Sequence, residues 1–246
     1  MRENETGGSD DSAARRVDRR RLLADVSIFN VLDDAQLDGL FKVTTTKKLK
    51  DGQILFRKGD AGRQLYGVVE GRLKIYASGS DGKEVVFGLA DPGEVIGEIA
   101  LLDSNPRSAT VVAVAASELL VLDRRDFLPF LERHPQVAVR LSELLAERLR
   151  RLSELTEDSV LLAMRSRLAK KLVSLARTYG EPCDAGMRID MKLSQQSLGD
   201  MVGTSRESIN KQLRAWKQSG LVTSIKGYIT IHDMDGLETL ANYAFH

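Results

Sequence analysis

The stretch Gly93–Ala113, GEVIGEIALLDSNPRSATVVA, decides the fold that we expect for this chain. An acidic residue follows a glycine at Gly97-Glu98, and Ile99–Leu102 is an apolar run of about one helical turn. The first backbone N–H groups of such a turn have no partner within the helix, so the turn attracts an anion. Arg107 brings a fork-shaped donor that suits a phosphate, whereas Glu98 suits sugar hydroxyls. Together these residues predict a compact nucleotide as the ligand.

The same stretch resembles the phosphate-binding cassette of cyclic-nucleotide-binding domains, whose pattern is G-E-[IL]-[AG]-L followed by P-R-[SAT]-A-[TS]-V. Every position is filled, from Gly97 to Leu101 and from Pro106 to Val111. The resemblance implies that Glu98 binds the ribose 2′-hydroxyl and that Arg107 binds the cyclic phosphate, with help from the next residue. The candidate ligand residues of the cassette are Gly97, Glu98, Ile99, Ala100, Arg107 and Ser108. The alternative is that Glu98 and Arg107 form a surface ion pair between two turns.

Composition limits the class of protein. The 246 residues, 42% of them hydrophobic, suffice for one large or two modest domains. Lys and Arg number 36 against 35 Asp and Glu, but residues 192–226 hold six basic and two acidic side chains, so positive charge gathers near the C-terminal end. The single cysteine excludes an internal disulfide framework, and the three histidines lack metal-ligand spacing. No apolar run approaches ~20 residues and no signal peptide is evident, so we expect a cytoplasmic protein without a membrane partner or a metal.

The N-terminal half changes character twice. Residues 1–21 are polar and end in three arginines, which predicts a disordered tail. Apolar spacing from Leu22 to Phe41 predicts short helices, the second capped by Asp33 or Asp34. From Lys47 to Asp123, short apolar runs alternate with glycine turns, which is typical of a small antiparallel β-barrel or jelly roll. The expected strands contain residues 54–56, 65–69, 73–76, 85–89, 109–113 and 119–122.

A helical period begins after Asp123. A short helix ends at His134-Pro135, because the residue before proline avoids the helical conformation. Apolar side chains then recur at intervals of three and four. They are Val137, Leu141, Leu144, Leu145, Leu149, Leu152 and Leu155. This stripe could cover the barrel, but its length favours a seam between two parallel helices of a dimer.

The C-terminal part carries a helix-turn-helix pattern. After a helix expected over 160–179, Ser194 is a good N-cap and Gly203 suits the tight turn between crossed helices. Thr204 and Glu207 are predicted to form a capping box for the second helix. A hairpin at 224–231, with Lys226-Gly227 at its turn, would be a wing; the alternative is an ordinary helical hairpin with a strand pair. The candidate DNA-binding residues are Ser194, Gln195, Thr204, Ser205, Arg206, Glu207, Ser208, Lys211 and Lys226.

Cassette, leucine-rich helix and winged helix-turn-helix, in that order, resemble the cyclic-AMP receptor protein (catabolite activator, CRP/FNR) family. The resemblance implies a homodimeric transcription regulator that binds double-stranded DNA at a palindromic operator, and it leaves contact with RNA polymerase open. Arg206 can contact guanine and Glu207 can accept from cytosine N4. Lys211 stands where the family has an arginine, which weakens base readout toward phosphate contact.

The resemblance leaves two candidates for the base of the ligand. The adenine-contacting Thr-Ser pair of the family aligns with Leu152-Ser153, and Leu152 cannot donate a hydrogen bond. Ser108 could meet the 2-amino group of a syn guanine. Cyclic AMP is therefore the first choice of allosteric effector, and cyclic GMP is the alternative.

The expected fold class is α+β, in four parts. These are a tail at 1–21, an antiparallel β-barrel or jelly-roll cyclic-nucleotide-binding domain at 22–136, a dimerisation helix and hinge at 137–160, and a winged helix-turn-helix domain at 161–246. The alternative functions are a regulator of this family that responds to a different effector and a cyclic-nucleotide-sensing module of a signalling complex. An enzyme is not expected, because no nucleophile–base pair, metal set or acid pair is evident.

Overall fold

The computed structural model describes residues 22–79 and 84–242. The tail expected over 1–21 and the turn expected at Gly82 lie outside the described residues. Contacts within the chain divide it into two compact units. The first comprises residues 22–77 and 88–148, and the second comprises 149–242 with the short segments 78–79 and 84–87. The domain boundaries expected at 136/137 and 160/161 stay predictions.

The first unit combines β-strands with short helices. Its helices are α1 (Asp34–Phe41), α2 (Glu98–Asp103), α3 (Arg124–Arg133) and the first half of α4 (Pro135–Leu161). The strands are β1 (Thr45–Leu49), β2 (Ile54–Phe56), β3 (Gln64–Glu70), β4 (Leu73–Ser78), β5 (Glu84–Ala90), β6 (Val95–Ile96), β7 (Thr110–Ala113) and β8 (Ser117–Asp123). Each of the six expected apolar runs lies in or overlaps one of these strands.

The strands form two four-stranded sheets, with the orders β1-β8-β3-β6 and β2-β7-β4-β5. The pairings described within them are antiparallel. One cluster of buried residues, which includes Tyr66, Leu73, Val111 and Leu119, draws on strands of both sheets. The antiparallel β-architecture expected from the glycine-punctuated pattern is confirmed. Strands β1 and β6 were not predicted. The sequence of β1, TTKKL, is mostly polar, and the two residues of β6 are too few to show a period.

Two sequence signals place the helices of this unit. Asp33 caps α1 by accepting from the backbone N–H of Gln36, and the Gln36 side chain accepts from the N–H of Asp33. The break at His134-Pro135 also holds, because α3 ends at Arg133 and α4 begins at Pro135. Asp33 is therefore the cap of the two candidates.

The leucine stripe of α4 divides into two parts. Val137 and Leu141 are buried in the core of the first unit, and Leu144 packs against it. Further along, Leu149 and Leu152 are 65% and 45% exposed. The beginning of the stripe therefore covers the β-domain, as the alternative interpretation held, and only its later part is left for a seam.

The second unit packs helices on a small sheet. Its helices are the rest of α4, then α5 (Met164–Tyr179), α6 (Gln195–Val202), α7 (Arg206–Gln218) and α8 (Met234–Ala241). Strands β9 (Gly180–Cys183), β10 (Gly186–Ile189), β11 (Val222–Ile225) and β12 (Tyr228–Ile231) form one antiparallel sheet in the order β11-β12-β10-β9. The chain's one tryptophan, Trp216, lies in the core of this unit, 2% exposed.

Two expectations about this unit need correction. The helix expected to begin at Val160 begins at Met164, because α4 continues to Leu161 and ends there. The stretch from Gly180, read as a helix-ending turn, also forms the strand β9 that pairs with β10. A strand that contains a glycine and a proline shows little periodicity in its sequence, so β9 is recognised only from its pairing with β10.

Candidate nucleotide site and DNA-binding face

The cassette places an acid and a glycine at the start of α2. Gly97 precedes the helix with φ 83°, in the left-handed region that glycine adopts without strain. A Cβ atom on Gly97 would lie 2.5 Å from Nη1 of Arg107 and 2.9 Å from the carbonyl oxygen of Gln64. Conformation and close approach therefore both require glycine here. The expected helical turn is confirmed as α2, which buries Glu98 and Ala100 and leaves Ile99 43% exposed.

Arg107 is a buried cation, 4% exposed. Its Nη1 donates to the carbonyl oxygen of Gly97 and its Nη2 to that of Gln64, each at 2.8 Å. Its Nε, also buried, has no hydrogen-bond partner among the described residues. Burial lowers the pKa of Arg107, and the nearby Tyr66 and Glu98 oppose this shift. The site therefore buries a guanidinium that has its Nε–H left to bind an anion.

Glu98 is also buried, at 2% exposure, but its partner is not Arg107. Its Oε1 accepts from Nη1 of Arg148, on α4, at 2.5 Å. Nη2 of Arg148 donates to the carbonyl oxygen of Val95. The alternative of a surface ion pair between Glu98 and Arg107 is therefore wrong, because both residues are buried and Glu98 pairs elsewhere. Arg107 makes no ion pair with a described carboxylate.

The remaining candidate ligand residues are exposed. Ser108, directly after the arginine, presents its hydroxyl at the surface. Leu152 and Ser153 lie on the part of α4 that belongs to the second unit. The hydroxyl of Ser153 donates to the carbonyl oxygen of Leu149, one turn earlier, at 3.0 Å. The roles expected of these three residues stay predictions.

The helix-turn-helix consists of α6 and α7. Ser194 caps α6 by accepting from the N–H of Ser197, as expected. Gly203 ends the helix with φ 71°, the left-handed conformation that the turn requires. Gly199 allows the turn to approach closely, since a Cβ there would lie 2.7 Å from the carbonyl oxygen of Thr204. The side chain of Gln195 bridges the two helices by donating to Asn210 at 3.3 Å.

The cap of the second helix differs from the expected one. Ser205, not Thr204, is the N-cap of α7, and its hydroxyl accepts from the N–H of Ser208 at 3.2 Å. Both residues are good cap formers, so the choice depends on where the turn after Gly203 brings the chain into helical geometry. The expected Thr204–Glu207 capping box is wrong by one residue.

The start of α7 presents polar side chains to solvent. Arg206, Glu207 and Lys211 are exposed, whereas Ser208 is half-buried. Hydrogen bonds with its own backbone N–H and with Ser205 lower the pKa of Glu207, so its carboxylate stays an acceptor at neutral pH. An exposed carboxylate and an exposed guanidinium, both in the first turn of a helix, can read base edges in a major groove.

The wing is a two-residue hairpin between β11 and β12. Lys226 and Gly227 form its turn with φ 51° and 87°, both in the left-handed region typical of such hairpins. Lys226 is exposed at the tip. The expected hairpin is confirmed, and the phosphate contact expected of Lys226 stays a prediction.

Sequence reasoning missed Arg148. It stands among other arginines in the run Glu147–Arg151, and neither its type nor its charge distinguishes it from Arg150. One signal was present, since Arg148 follows the buried Leu141 by seven residues and so shares its helix face. A cation on the apolar face of a helix needs a buried partner, and Glu98 is that partner.

Neither a metal cluster nor a membrane span is found where the chain is described. Within residues 22–79 and 84–242, no group of His, Cys, Asp and Glu side chains could hold a metal ion. Every described helix is also too short or too polar to cross a membrane.

The chain resembles known proteins in both of its halves. Residues 46–134 match the cyclic nucleotide-binding domain family, and residues 166–240 match the Crp-like helix-turn-helix domain family. The cyclic AMP receptor protein of Thermus thermophilus is 33% identical over 215 residues, covering 87% of this chain and 96% of that protein. A CRP-like cAMP-activated global transcriptional regulator of Mycobacterium tuberculosis is 26% identical, covering 88% and 96%.

Solved structures show the same fold. The c-di-GMP responsive global regulator CLP of Xanthomonas campestris superposes with a TM-score of 0.74 at 22% identity, covering 82% of this chain and all of that one. A CRP/FNR-family transcriptional regulator of Thermus thermophilus superposes with a TM-score of 0.64 at 25% identity, with coverage of 82% and 100%. With a cyclic-nucleotide-binding domain, a Crp-like helix-turn-helix and a relative one-third identical over nearly its whole length, the chain belongs to the cyclic-AMP receptor protein (CRP/FNR) family of transcription regulators.

Proposed function

We propose that the protein is a dimeric transcription regulator that binds a palindromic operator when cyclic AMP occupies its β-domain. The observation that carries this proposal is the buried charge of Arg107, whose Nε has no hydrogen-bond partner among the described residues and which forms no ion pair with a described carboxylate. A charged group taken out of water is costly unless an anion pairs with it, and here no described carboxylate does so. A cyclic phosphate would supply that anion.

Glu98 supports the ribose half of the proposal. Arg148 donates to one carboxylate oxygen of Glu98. A carboxylate has about four lone-pair sites, so Glu98 can still accept from a ribose hydroxyl. The same pair supports a coupling mechanism, because Arg148 belongs to α4. A ligand that engages Glu98 would change the environment of an arginine on the helix that continues toward the DNA-binding residues in sequence.

Two relatives favour cyclic AMP as the ligand. One is a cAMP-activated regulator and the other is a cyclic AMP receptor protein. Cyclic GMP is the second candidate. Leu152 offers no hydrogen bond where an adenine contact is expected, and the exposed hydroxyl of Ser108 could accept from a guanine 2-amino group. Contact with RNA polymerase stays a prediction that rests on the family.

The dimer is supported by the later part of the leucine stripe. Leu149 and Leu152 are exposed apolar side chains on a continuous helix, and a partner helix would remove them from water. Two copies of α7 would then face one side of the DNA, with half-sites about one helical turn, roughly 34–36 Å, apart.

The test is calorimetric titration of the full-length protein with cyclic AMP and with cyclic GMP, followed by operator affinity with and without the nucleotide that binds. Linkage requires ligand and DNA to tighten each other's binding by the same factor, typically ~5–150-fold. If neither nucleotide binds, or if operator affinity is unchanged by a bound nucleotide, the proposed switch is wrong.

A further inference from the structure

The phosphate-binding cassette does not hold its arginine alone. The segment between β2 and β3 precedes the cassette by more than thirty residues. It forms hydrogen bonds with the main chain of Arg107. The N–H of Gly59 donates to the carbonyl oxygen of Arg107 at 2.9 Å, and the N–H of Arg107 donates to the carbonyl oxygen of Asp60 at 2.8 Å. These two bonds tie the position of Arg107 to a segment outside the cassette.

An aromatic ring lies against the guanidinium. Cζ of Arg107 is 4.2 Å from the ring centroid of Phe56, at the end of β2, and 5.6 Å from that of Tyr66. A cation over an aromatic face is attracted by the ring's quadrupole, and the attraction grows when both are removed from water. With Nη1 and Nη2 already donating to carbonyl oxygens, the ring leaves the guanidinium little freedom to turn.

Gly62 provides the space that this arrangement needs. Its backbone does not require glycine, since its φ is not in the positive range. A Cβ atom at this position, however, would lie 2.4 Å from Cβ of Ala100, 2.9 Å from Nε of Arg107 and 3.0 Å from its Cδ. A side chain at position 62 would therefore push the arginine and α2 away from their present positions.

We infer that Phe56 and Gly62 are positioning residues for anion binding by Arg107. The segment between β2 and β3 then belongs to the nucleotide site in addition to the cassette. Phe56 fixes the orientation of the guanidinium, and Gly62 lets the segment close against it. The ligand's phosphate then meets an arginine whose orientation is set before binding, so that less ordering has to occur on binding. This inference rests on the proposed function, because it concerns how the same site binds its nucleotide.

The first experiment separates ring from bulk at position 56. Phe56→Leu keeps an apolar side chain but removes the aromatic face, and Phe56→Tyr keeps the face. Calorimetric titration of the full-length protein with cyclic AMP should show about 2- to 30-fold weaker binding for Phe56→Leu. Binding should return to near the wild-type value in Phe56→Tyr, which a merely space-filling role would not predict.

Tyr76→Leu is the matched control. Tyr76 carries another cation–aromatic pair of the same unit, with Nζ of Lys74 4.4 Å from its ring centroid. This variant should lower the melting temperature without a selective loss of nucleotide binding. Thermal melts of all variants establish that each is folded at the titration temperature. If Phe56→Leu is unfolded, the titration is done with Phe56→Met, which also removes the ring but has an unbranched side chain.

A second experiment tests Gly62 against a glycine without neighbours. Gly62→Ala should weaken cyclic AMP binding by about 10-fold or more, because a displaced Arg107 would lose one hydrogen bond to the charged phosphate. Gly88→Ala should leave binding unchanged, because nothing lies within 4 Å of a Cβ at that position. Wild-type binding by Phe56→Leu, or equal losses in Phe56→Leu and Phe56→Tyr, would overturn the inference for Phe56. Wild-type binding by Gly62→Ala would overturn it for Gly62. Failure of the unmodified protein to bind either nucleotide would instead reject the proposed function.

Discussion

Glu98 and Arg148 form an ion pair at 2.5 Å between residues fifty positions apart in the chain. The glutamate side chain is 3% exposed and the arginine side chain 27%. The pair joins the first residue of the cassette helix α2 to the middle of α4. One end of the expected nucleotide site is therefore held by the long helix, and the other end by the strands around Arg107.

Arg148→Met should destabilise the protein by about 3 kcal/mol, since it leaves a buried carboxylate without its partner. The value is at the low end for a broken buried pair because Arg148 is partly exposed. Chemical denaturation of Arg148→Met and of Arg150→Met, an exposed arginine two residues along, provides the comparison. Adding Glu98→Gln to Arg148→Met should recover part of the loss. Equal stability of the two arginine variants would contradict the role of the pair.

Arg107→Leu should weaken cyclic AMP binding by at least about 100-fold, because it removes two or more charge-assisted hydrogen bonds to the phosphate. Arg63→Leu, an exposed arginine on the neighbouring segment, should leave binding unchanged. In the Arg107 variant, DNA binding should persist in a weak, salt-sensitive form that the nucleotide does not strengthen. Calorimetry and a shift assay at two salt concentrations measure both effects, and nucleotide-stimulated operator binding by Arg107→Leu would reject the assignment.

Arg206→Ala should cost about 1–3 kcal/mol on the cognate operator and relax the preference for one guanine in each half-site. Lys217→Ala removes a positive charge from the last turn of the same helix and serves as the control. Fluorescence anisotropy with cognate and scrambled duplexes distinguishes the two kinds of contact. If Arg206→Ala weakens both duplexes equally, its contact is with phosphate.

Leu149→Glu combined with Leu155→Glu should yield folded monomers. These side chains are 65% and 37% exposed in the protomer, so the substitutions cost little within one chain and place charge in the expected seam. Ser142→Glu, at an exposed position on the same helix, should remain dimeric. Sedimentation velocity and far-ultraviolet circular dichroism measure assembly and folding. A dimer that survives the double substitution would place the interface elsewhere.

The sequence was informative wherever the signal is local. Asp33 and Ser194 cap helices because a short polar side chain can reach backbone N–H groups three residues on, which needs no tertiary contact. Gly97 and Gly203 mark left-handed positions for a similar local reason. The cap of α7 shows the limit of such signals, since Thr204 and Ser205 are both suitable and only the path of the turn selects Ser205.

By itself, then, the sequence determined most of the helices, the caps Asp33 and Ser194, the antiparallel β-architecture, the winged helix-turn-helix and the candidate ligand pair Glu98 and Arg107. Tertiary structure decided what those two residues contact. Arg148 reaches Glu98, and Phe56 and Gly62 enclose Arg107, through contacts between segments about fifty residues apart. No periodicity records such a contact. It exists because burial removes a charge from water, and whichever groups the fold brings near must then supply its partners.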